Sequence, residues 1–212
     1  MSGSVVEINN LVVSVGAQPD ATKILDNVSL RVSEGETLCL VGESGSGKSV
    51  TSLTIMGLLP KKILVPTHGS VRLAGEEILT ATDRRLRSLR ATTMAMIFQE
   101  PMTALNPVVP VGKQIDEVLR THTSLDARSR RKRILEMMEQ VRLPDVERIF
   151  ASYPHRLSGG QRQRIMIAMA LVLEPKLLIA DEPTTALDVT TQKQILSLIR
   201  DLQKDHGTAV LF

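Results

Sequence analysis

The sequence predicts an α/β fold built around a largely parallel sheet. Short, continuously apolar runs at 37–41, 94–98 and 177–180 alternate with segments of helical pattern. Such alternation is typical of strands joined by crossover helices. Runs without polar interruption are expected of strands buried on both faces. The 212 residues are enough for one substantial core with a smaller inserted subdomain.

The order of elements follows from local apolar patterns and from turn residues. The predicted elements are strands over 5–15 and 24–32, a turn over 33–36, a buried strand over 37–41, a glycine-rich loop, a helix over about 48–59 that ends before Pro60, a hairpin of edge strands over 69–79 around Ala74-Gly75, a strand over 94–98, a helical region over about 101–156, a strand over 177–180, a helix over 189–204 and the start of a strand over 208–212.

Composition points to an ordinary globular protein with an aliphatic core. Hydrophobic residues make up 42% and charged residues 23%, while aromatics reach only 2%. The single cysteine, Cys39, can form no internal disulfide, and its apolar surroundings predict a buried thiol, which suits a reducing cytosol. No apolar run approaches the roughly 20 residues that span a bilayer, and the N-terminus lacks the pattern of a signal peptide.

The net charge of +3 is modest, but one cluster of basic residues stands out. Its members are Arg128, Arg130, Arg131, Lys132 and Arg133. Such a cluster can indicate nucleic-acid binding. Because it leads directly into the apolar helical segment 134–138, the solvated face of a helix is the favoured interpretation, and no nucleic-acid partner is expected.

A glycine-rich loop supplies the first functional motif. It matches G-x-x-x-x-G-K-[ST] and consists of Gly42, Glu43, Ser44, Gly45, Ser46, Gly47, Lys48 and Ser49. Glycines let backbone N–H groups surround phosphate oxygens, and the following helix presents its positive end to them. Lys48 can reach the β- and γ-phosphates, and the Ser49 hydroxyl can bind magnesium. A chance match would occur in about one chain in a hundred, and the position between a strand and a helix favours triphosphate binding.

A second motif lies at the end of the strand 177–180, which runs into two acids. Asp181 is placed to hold magnesium, directly or through water, and Glu182 to polarise an attacking water. Taken alone, two solvated acids at a strand exit would be the better interpretation. The phosphate loop in the same chain favours the catalytic one.

Residues 157–161, with the sequence LSGGQ, resemble the signature motif of the ATP-binding cassette superfamily. The order of motifs agrees, with Gln99 after an apolar strand and with 181–184 and 186–188 resembling the acidic strand and the D-loop. The resemblance implies a P-loop NTPase (RecA-like) core with an N-terminal antiparallel β subdomain and an inserted α-helical subdomain. It divides a single domain, 1–212, into 1–100, 101–156 and 157–212, with the C-terminal end of the cassette missing.

The resemblance also assigns roles to residues. Glu182 and Gln99 would be catalytic, and Ser49, Gln99 and Asp181 would hold Mg²⁺. ATP would be bound by the phosphate loop, by Asp188 and by the signature residues Ser158, Gly159, Gly160 and Gln161. The signature opens a helix with a hydroxyl and free N–H groups, which makes a second anion site. In the family it closes on the ATP of a second cassette, paired head to tail. A simple helix cap is the alternative.

The block 98–107 looks like the importer branch for oligopeptides, dipeptides, nickel and glutathione, as do 153–155 and 166–170. We therefore expect the ATP-hydrolysing subunit of an importer for peptides or a related small solute. Its partners would be integral membrane permease subunits and, indirectly, a solute-binding protein, at the cytoplasmic face of the inner membrane. The alternatives are a soluble cassette ATPase of DNA repair or translation, whose long insertions are not visible here, and an ATP-binding fragment without hydrolysis.

Two departures from the family pattern carry expectations. The family stacks adenine on an aromatic ring near the position of Val15, but no aromatic residue precedes Phe98. The family also has a switch histidine just past the strand 208–212, and His206 lies before that strand. ATP binding by this chain is therefore expected to survive better than hydrolysis.

Overall fold

The computed structural model describes residues 3–18, 20–60, 62–98, 104–185 and 187–212. The strands are β1 Ser4–Val15, β2 Lys23–Ser33, β3 Thr37–Leu38, β4 Leu64–Leu73, β5 Glu76–Glu77, β6 Met94–Ile97, β7 Leu177–Ala180 and β8 Ala209–Leu211. The helices are α1 Lys48–Ile55, α2 Asp83–Leu89, α3 Val111–His122, α4 Ala127–Gln140, α5 Val146–Phe150, α6 Gly159–Leu171 and α7 Val189–His206, with a 3-10 turn at Pro154–Arg156.

The first sheet is antiparallel, with the order β2-β1-β4-β5. The long strand β1 lies inside it, so that Val6 pairs with Val32 on one side and with Leu73 on the other. The hairpin between β4 and β5 turns through Ala74 and Gly75, which have φ angles of 49° and 84°. The two N-terminal strands and this hairpin are confirmed, although β4 begins earlier than predicted, at Leu64. The prediction that both hairpin strands are edge strands is wrong for β4, which lies between β1 and β5.

The second sheet is parallel, with the order β3-β8-β7-β6. Along β7, Leu177 and Ile179 pack towards α1 and the antiparallel sheet, whereas Leu178 packs towards α6 and α7. The core between the parallel sheet and the helices α6 and α7 continues into the helices between Val111 and Phe150. The parallel sheet therefore forms a middle layer, and the carboxyl ends of β3 and β7 lie on the same edge.

The prediction that 37–41 is a strand buried on both faces is wrong. Regular strand structure covers only Thr37 and Leu38, Cys39 is exposed, and the side chain of Val41 is 94% exposed. Among the described strands, β3 has β8 as its neighbour in the parallel sheet and lies at its edge. The regular strand ends before Cys39, and the prediction of a buried Cys39 thiol is wrong as well.

Helix α1 ends at Ile55, four residues before the predicted end. Gly57 follows in the left-handed region, with φ of 63°, which stops the helix. The guanidinium of Arg90 donates to the carbonyls of Met56 and Gly57, at 2.9 and 2.8 Å. Arg90 follows α2, a helix that the sequence pattern did not predict. Its two hydrogen bonds hold the residues that follow the end of α1.

The predicted helical region is confirmed over its described residues, as α3, α4, α5 and the 3-10 turn. Residues 99–103 lie outside the described part, so the boundary at 100/101 stays a prediction. The basic cluster lies on α4, and four of its members are paired with acids: Arg130 with Asp116, Arg131 with Glu147, Lys132 with Glu136 and Arg133 with Glu174. These pairs leave a surface of mixed charge on this face.

Candidate functional site: a phosphate loop facing an acidic strand end

The phosphate loop connects β3 to α1 and is exposed from Gly42 to Ser46. Helix α1 begins at Lys48, so the free N–H groups of its first turn point into the loop. The Nζ of Lys48 donates to the carbonyls of Gly42 and Glu43, at 2.8 and 2.9 Å. An ammonium group has three donors. The lysine is therefore held over the loop with one N–H left for a ligand.

Two glycines of the phosphate loop have neighbours so close that a side chain could be added only if an atom nearby shifted. A Cβ on Gly42 would lie 2.5 Å from the Ser46 hydroxyl oxygen. A Cβ on Gly47 would lie 2.4 Å from a methyl group of Leu25, and Gly47 also has φ of 94°. Because Leu25 belongs to β2, the antiparallel sheet lies directly against the phosphate loop at Gly47.

The first turn of α1 meets the end of β7. The Ser49 hydroxyl donates to Oδ1 of Asp181 at 3.2 Å, across 132 positions in sequence. The backbone N–H of Asp181 continues the parallel ladder by donating to the carbonyl of Ile97 at 3.1 Å. The parallel sheet thus places the Asp181 carboxylate beside the Ser49 hydroxyl, at the mouth of the phosphate loop. The motifs assign both residues to magnesium, and that role stays a prediction.

Glu182 follows in a left-handed conformation, with φ of 47°, which is uncommon for a residue with a side chain. The turn after it is closed by Thr185, whose N–H donates to the Glu182 carbonyl at 3.4 Å. The Thr185 hydroxyl lies 3.1 Å from Oε2 of the Glu182 carboxylate. Glu182 is exposed, so its carboxylate can reach solvent at the edge of the sheet where Asp181 lies.

The signature residues cap helix α6. The Ser158 hydroxyl accepts from the N–H of Gln161 at 3.2 Å, and the Gln161 side chain accepts from the N–H of Ser158 at 3.0 Å. This reciprocal arrangement is a capping box. The helix-cap interpretation therefore describes the chain as it stands. The Ser158 hydroxyl uses its oxygen here, and its own proton is available to a ligand.

The two glycines of the signature pack against the start of α7. A Cβ on Gly159 would lie 3.4 Å from Leu187, and one on Gly160 would lie 3.0 Å from the Thr191 methyl group. Asp188 caps α7, with its carboxylate accepting from the N–H and the hydroxyl of Thr191 at 3.0 and 2.7 Å. These hydrogen bonds, the hydroxyl's first, hold the pKa of Asp188 below its usual value.

Gln192 is a residue of this region that sequence patterns did not reveal. Its amide donates to the carbonyls of Thr184 and Leu187, at 3.0 and 3.1 Å. The segment between the acidic strand and α7 is thereby fastened to the helix. A glutamine four residues after an N-cap aspartate gives little signal in a sequence, because its partners are backbone atoms.

The predicted site residues fall into two groups. Lys48, Ser49 and Asp181 lie together at the phosphate loop, and Ser158–Gln161 lie beside Asp188. Within the described ranges, no hydrogen bond or ion pair joins one group to the other. Gln99, predicted to be catalytic and to contact magnesium, lies outside the described residues.

The chain matches known proteins over nearly its whole length. The family model for the ABC transporter matches residues 25–185. The glutathione import ATP-binding protein GsiA of Pectobacterium atrosepticum is 52% identical over 98% of this chain and 34% of its own length. The oligopeptide transport ATP-binding protein AppD of Bacillus subtilis is 47% identical over 98% of this chain and 63% of its own length.

A third relative, the probable D,D-dipeptide transport ATP-binding protein DdpD of Escherichia coli, is 47% identical over all of this chain and 65% of its own length. The chain thus spans from about a third to two thirds of the length of these curated relatives.

Solved structures share the fold. A dimeric ATP-binding cassette, MJ0796, bound to ADP and Pi in a post-hydrolysis state, has a TM-score of 0.82 at 31% identity, covering 97% of this chain and 86% of its own. The cassette cbiO1 of Clostridium perfringens has a TM-score of 0.81 at 26% identity, covering 98% and 77%. With the phosphate loop, the acidic strand and the signature in the family's order, this chain belongs to the ABC transporter family and has the fold of its ATP-binding cassettes.

Proposed function

We propose that the chain binds and hydrolyses ATP to energise an importer for peptides or a related small solute. The observation that carries the proposal is the contact between the Ser49 hydroxyl and the Asp181 carboxylate at the mouth of the phosphate loop. A triphosphate on that loop would place its outer phosphates next to an oxygen pair suited to a divalent cation.

The donor set fits magnesium. Ser49 and Asp181 supply a hydroxyl and a carboxylate, which are the hard oxygen ligands that Mg²⁺ prefers, and Mg²⁺ takes its remaining ligands from phosphates and water. Within the described ranges, no group of three or more His, Cys, Asp or Glu side chains could hold a metal without a substrate. Bound there, Mg²⁺ would neutralise charge on the β- and γ-phosphate oxygens.

The chain's own residues would position the reaction. The N–H groups of the loop and the Nζ of Lys48 would hold the phosphates, and the Glu182 carboxylate would accept a hydrogen bond from the attacking water. That water would bond to the γ-phosphorus as the bond to the β–γ bridging oxygen breaks, giving ADP and phosphate. We also assign Gln99 to this site, on the resemblance alone.

The second group of residues suits a site completed by another cassette. The start of α6 offers an anion-binding site made of free backbone N–H groups, the Ser158 hydroxyl and the segment around Asp188. The phosphate loop of this chain is not part of that site. We propose that the site at α6 closes on ATP held by a second cassette, identical or related, in a head-to-tail dimer. The dimeric state of MJ0796 supports this arrangement.

The choice of importer rests on the relatives, whose names state transport of glutathione, oligopeptides and D,D-dipeptides. No helix among the described residues is long and apolar enough to cross a membrane. We propose that permease subunits dock on an apolar groove of about 210 Å³ between the core and the helical region, where Phe98 is 44% exposed. A solute-binding protein would act through those subunits, and the chain would lie at the cytoplasmic face.

The catalytic part is tested by two substitutions. Lys48→Ala should weaken Mg-ATP binding at least about tenfold, because it removes a charged phosphate contact. Glu182→Gln should leave binding within about twofold and slow single-turnover hydrolysis at least about a hundredfold. The exposed Lys62 offers a matched control, Lys62→Ala. If Lys48→Ala binds Mg-ATP as tightly as Lys62→Ala does, the proposed site is wrong.

The transport part is tested by affinity purification from membranes. We expect the chain to co-purify with integral membrane subunits, and ATP hydrolysis to rise when peptide and a solute-binding protein are added to the reconstituted complex. Recovery with ribosomes or DNA instead would support the soluble cassette ATPase and overturn the importer.

A further inference from the structure

The turn from Glu182 to Thr185 holds the carboxylate of Glu182 in one orientation. The Thr185 hydroxyl lies 3.1 Å from Oε2 of Glu182 and 3.3 Å from the carbonyl oxygen of the same residue. A hydroxyl has one proton to donate. Both acceptors belong to Glu182, and the nearer of the two is the charged carboxylate oxygen, which is the stronger acceptor.

Glu182 lies at the surface, where its side chain needs a partner such as the Thr185 hydroxyl to be held in one orientation. Glu182 has φ of 47°, so the backbone leaves the extended conformation of β7 before this residue is passed. The side chain is exposed at the surface. A long exposed side chain loses rotamer freedom only where a partner restrains it. A hydrogen bond to a carboxylate oxygen from three residues along the chain is such a restraint.

The turn itself does not depend on the Thr185 hydroxyl. The N–H of Thr185 donates to the Glu182 carbonyl at 3.4 Å. The Gln192 amide holds the carbonyls of Thr184 and Leu187, at 3.0 and 3.1 Å. Removing the hydroxyl would leave all these backbone contacts in place. Its loss would therefore act on the Glu182 side chain and leave the loop folded.

We propose that Thr185 is a positioning residue for hydrolysis, whose hydroxyl holds the Glu182 carboxylate in the orientation that receives the attacking water. This rests on the proposed role of Glu182 as the group that polarises the water. In this role Thr185 acts through Glu182 and not directly on ATP or water. Because a misplaced catalytic group slows the chemical step without weakening substrate binding, the effect belongs to the rate and not to the affinity.

The test compares two variants with the wild type in the full chain. Thr185→Val keeps the size and the branching at Cβ but removes the hydroxyl, and Thr185→Ser restores it. We expect Thr185→Val to lower the single-turnover rate of Mg-ATP hydrolysis about tenfold, with the Kd for Mg-ATP within about twofold of wild type. Thr185→Ser should recover the wild-type rate to within about threefold, since the hydroxyl is the group that acts.

A second substitution separates this proposal from the one on which it rests. In the Glu182→Gln background, Thr185→Val should cause no further loss of rate beyond about twofold, because the carboxylate it positions is gone. A wild-type rate in Thr185→Val, or an equal loss in both backgrounds, would overturn the positioning role alone. A wild-type rate in Glu182→Gln would overturn the role of Glu182 as well.

Discussion

The Ser49 hydroxyl donates to the Asp181 carboxylate at 3.2 Å, joining the first turn of α1 to the carboxyl end of β7. Each of the two residues owes its position to the helix or strand that precedes or contains it. Ser49 is carried by the helix that follows the phosphate loop, and Asp181 by a strand whose ladder to β6 runs up to it. Two oxygens from different elements thus meet where the outer phosphates of ATP are expected.

This pair predicts a magnesium-dependent loss on mutation. Ser49→Ala removes one oxygen ligand, so the affinity for ATP should fall about tenfold with Mg²⁺ present and less than about twofold in EDTA. Titration of a fluorescent ATP analogue with and without Mg²⁺ measures both values. The exposed Ser124→Ala is the control. An equal loss in EDTA would show that Ser49 acts on the loop and not on the cation.

A second prediction concerns Gly47, which has φ of 94° and at which an added Cβ would lie only 2.4 Å from Leu25. Gly47→Ala should lower the free energy of unfolding by more than about 2 kcal/mol and abolish ATP binding, because it adds a clash to the left-handed strain. Gly75→Ala is the matched control, since Gly75 has φ of 84° and no heavy atom within 4 Å of an added Cβ.

Urea denaturation of these two variants gives the comparison directly. Gly75→Ala carries the strain without the clash, so it should cost about 1 kcal/mol and leave ATP binding intact. Similar losses of stability in the two variants would mean that the contact with Leu25 relaxes freely.

A third prediction follows from the cap of α7. Hydrogen bonds from Thr191 hold the pKa of Asp188 below its usual value. A carboxyl group with a lowered pKa in the folded state stabilises fully above its unfolded pKa, and this contribution is lost as the pH falls through the folded pKa. Thr191→Val should therefore lower the melting temperature at pH 7 on the order of 1–3 °C, with a difference from wild type that shrinks towards pH 2.

Thermal unfolding followed by circular dichroism across this pH range tests the idea. Valine keeps the methyl group that packs near Gly160, so the comparison isolates the hydroxyl. The exposed Asp20→Asn reports on acid effects unrelated to the cap. A difference between Thr191→Val and wild type that stays constant down to pH 2 would contradict the role of the Asp188 charge.

A fourth prediction concerns the base of the nucleotide. Val15 is 43% exposed and lies two residues beyond Val13, which pairs with Leu25, the residue that touches the phosphate loop. Ile63 is 58% exposed, and its carbonyl accepts from the N–H of Gly16. Aliphatic side chains offer a base contact area without aromatic stacking. ATP and GTP should therefore bind within about threefold of each other.

Val15→Tyr supplies the absent ring. We expect it to raise the affinity for ATP about tenfold, since stacking on one base contributes about 1–3 kcal/mol, and to leave inorganic tripolyphosphate unaffected. Val108→Tyr, at a side chain that is 76% exposed in the helical region, serves as the control. A gain for tripolyphosphate, or the same gain with Val108→Tyr, would place the base elsewhere.

The chemistry-bearing motifs could be predicted because each depends on a short local spacing. The phosphate loop needs its glycines, Lys48 and Ser49 within eight residues, and the signature needs the five consecutive residues 157–161. The strands β1, β2, β6 and β7 were found for the same reason, since a period of two or an apolar run is visible within one element.

Features that depend on distant neighbours could not be predicted. The edge position of β3 follows from which strands pair with it, and the exposure of Cys39 and Val41 from which elements pack against them. The contact of Arg90 with the carbonyls of Met56 and Gly57, just beyond α1, comes from more than thirty residues away. Apolar runs and helical periods carry no information on such partners, because burial is decided only when elements pack.

The sequence by itself determined the ligand class and the family, since consecutive residues form both the phosphate loop and the signature. Only the tertiary structure decided how these parts act together. It brings Asp181 to Ser49, turns Glu182 into the left-handed region and sets the Thr185 hydroxyl against its carboxylate. The physical reason is that hydrogen bonds act over about 3 Å in space, and the parallel sheet sets the positions of residues that lie far apart in the chain.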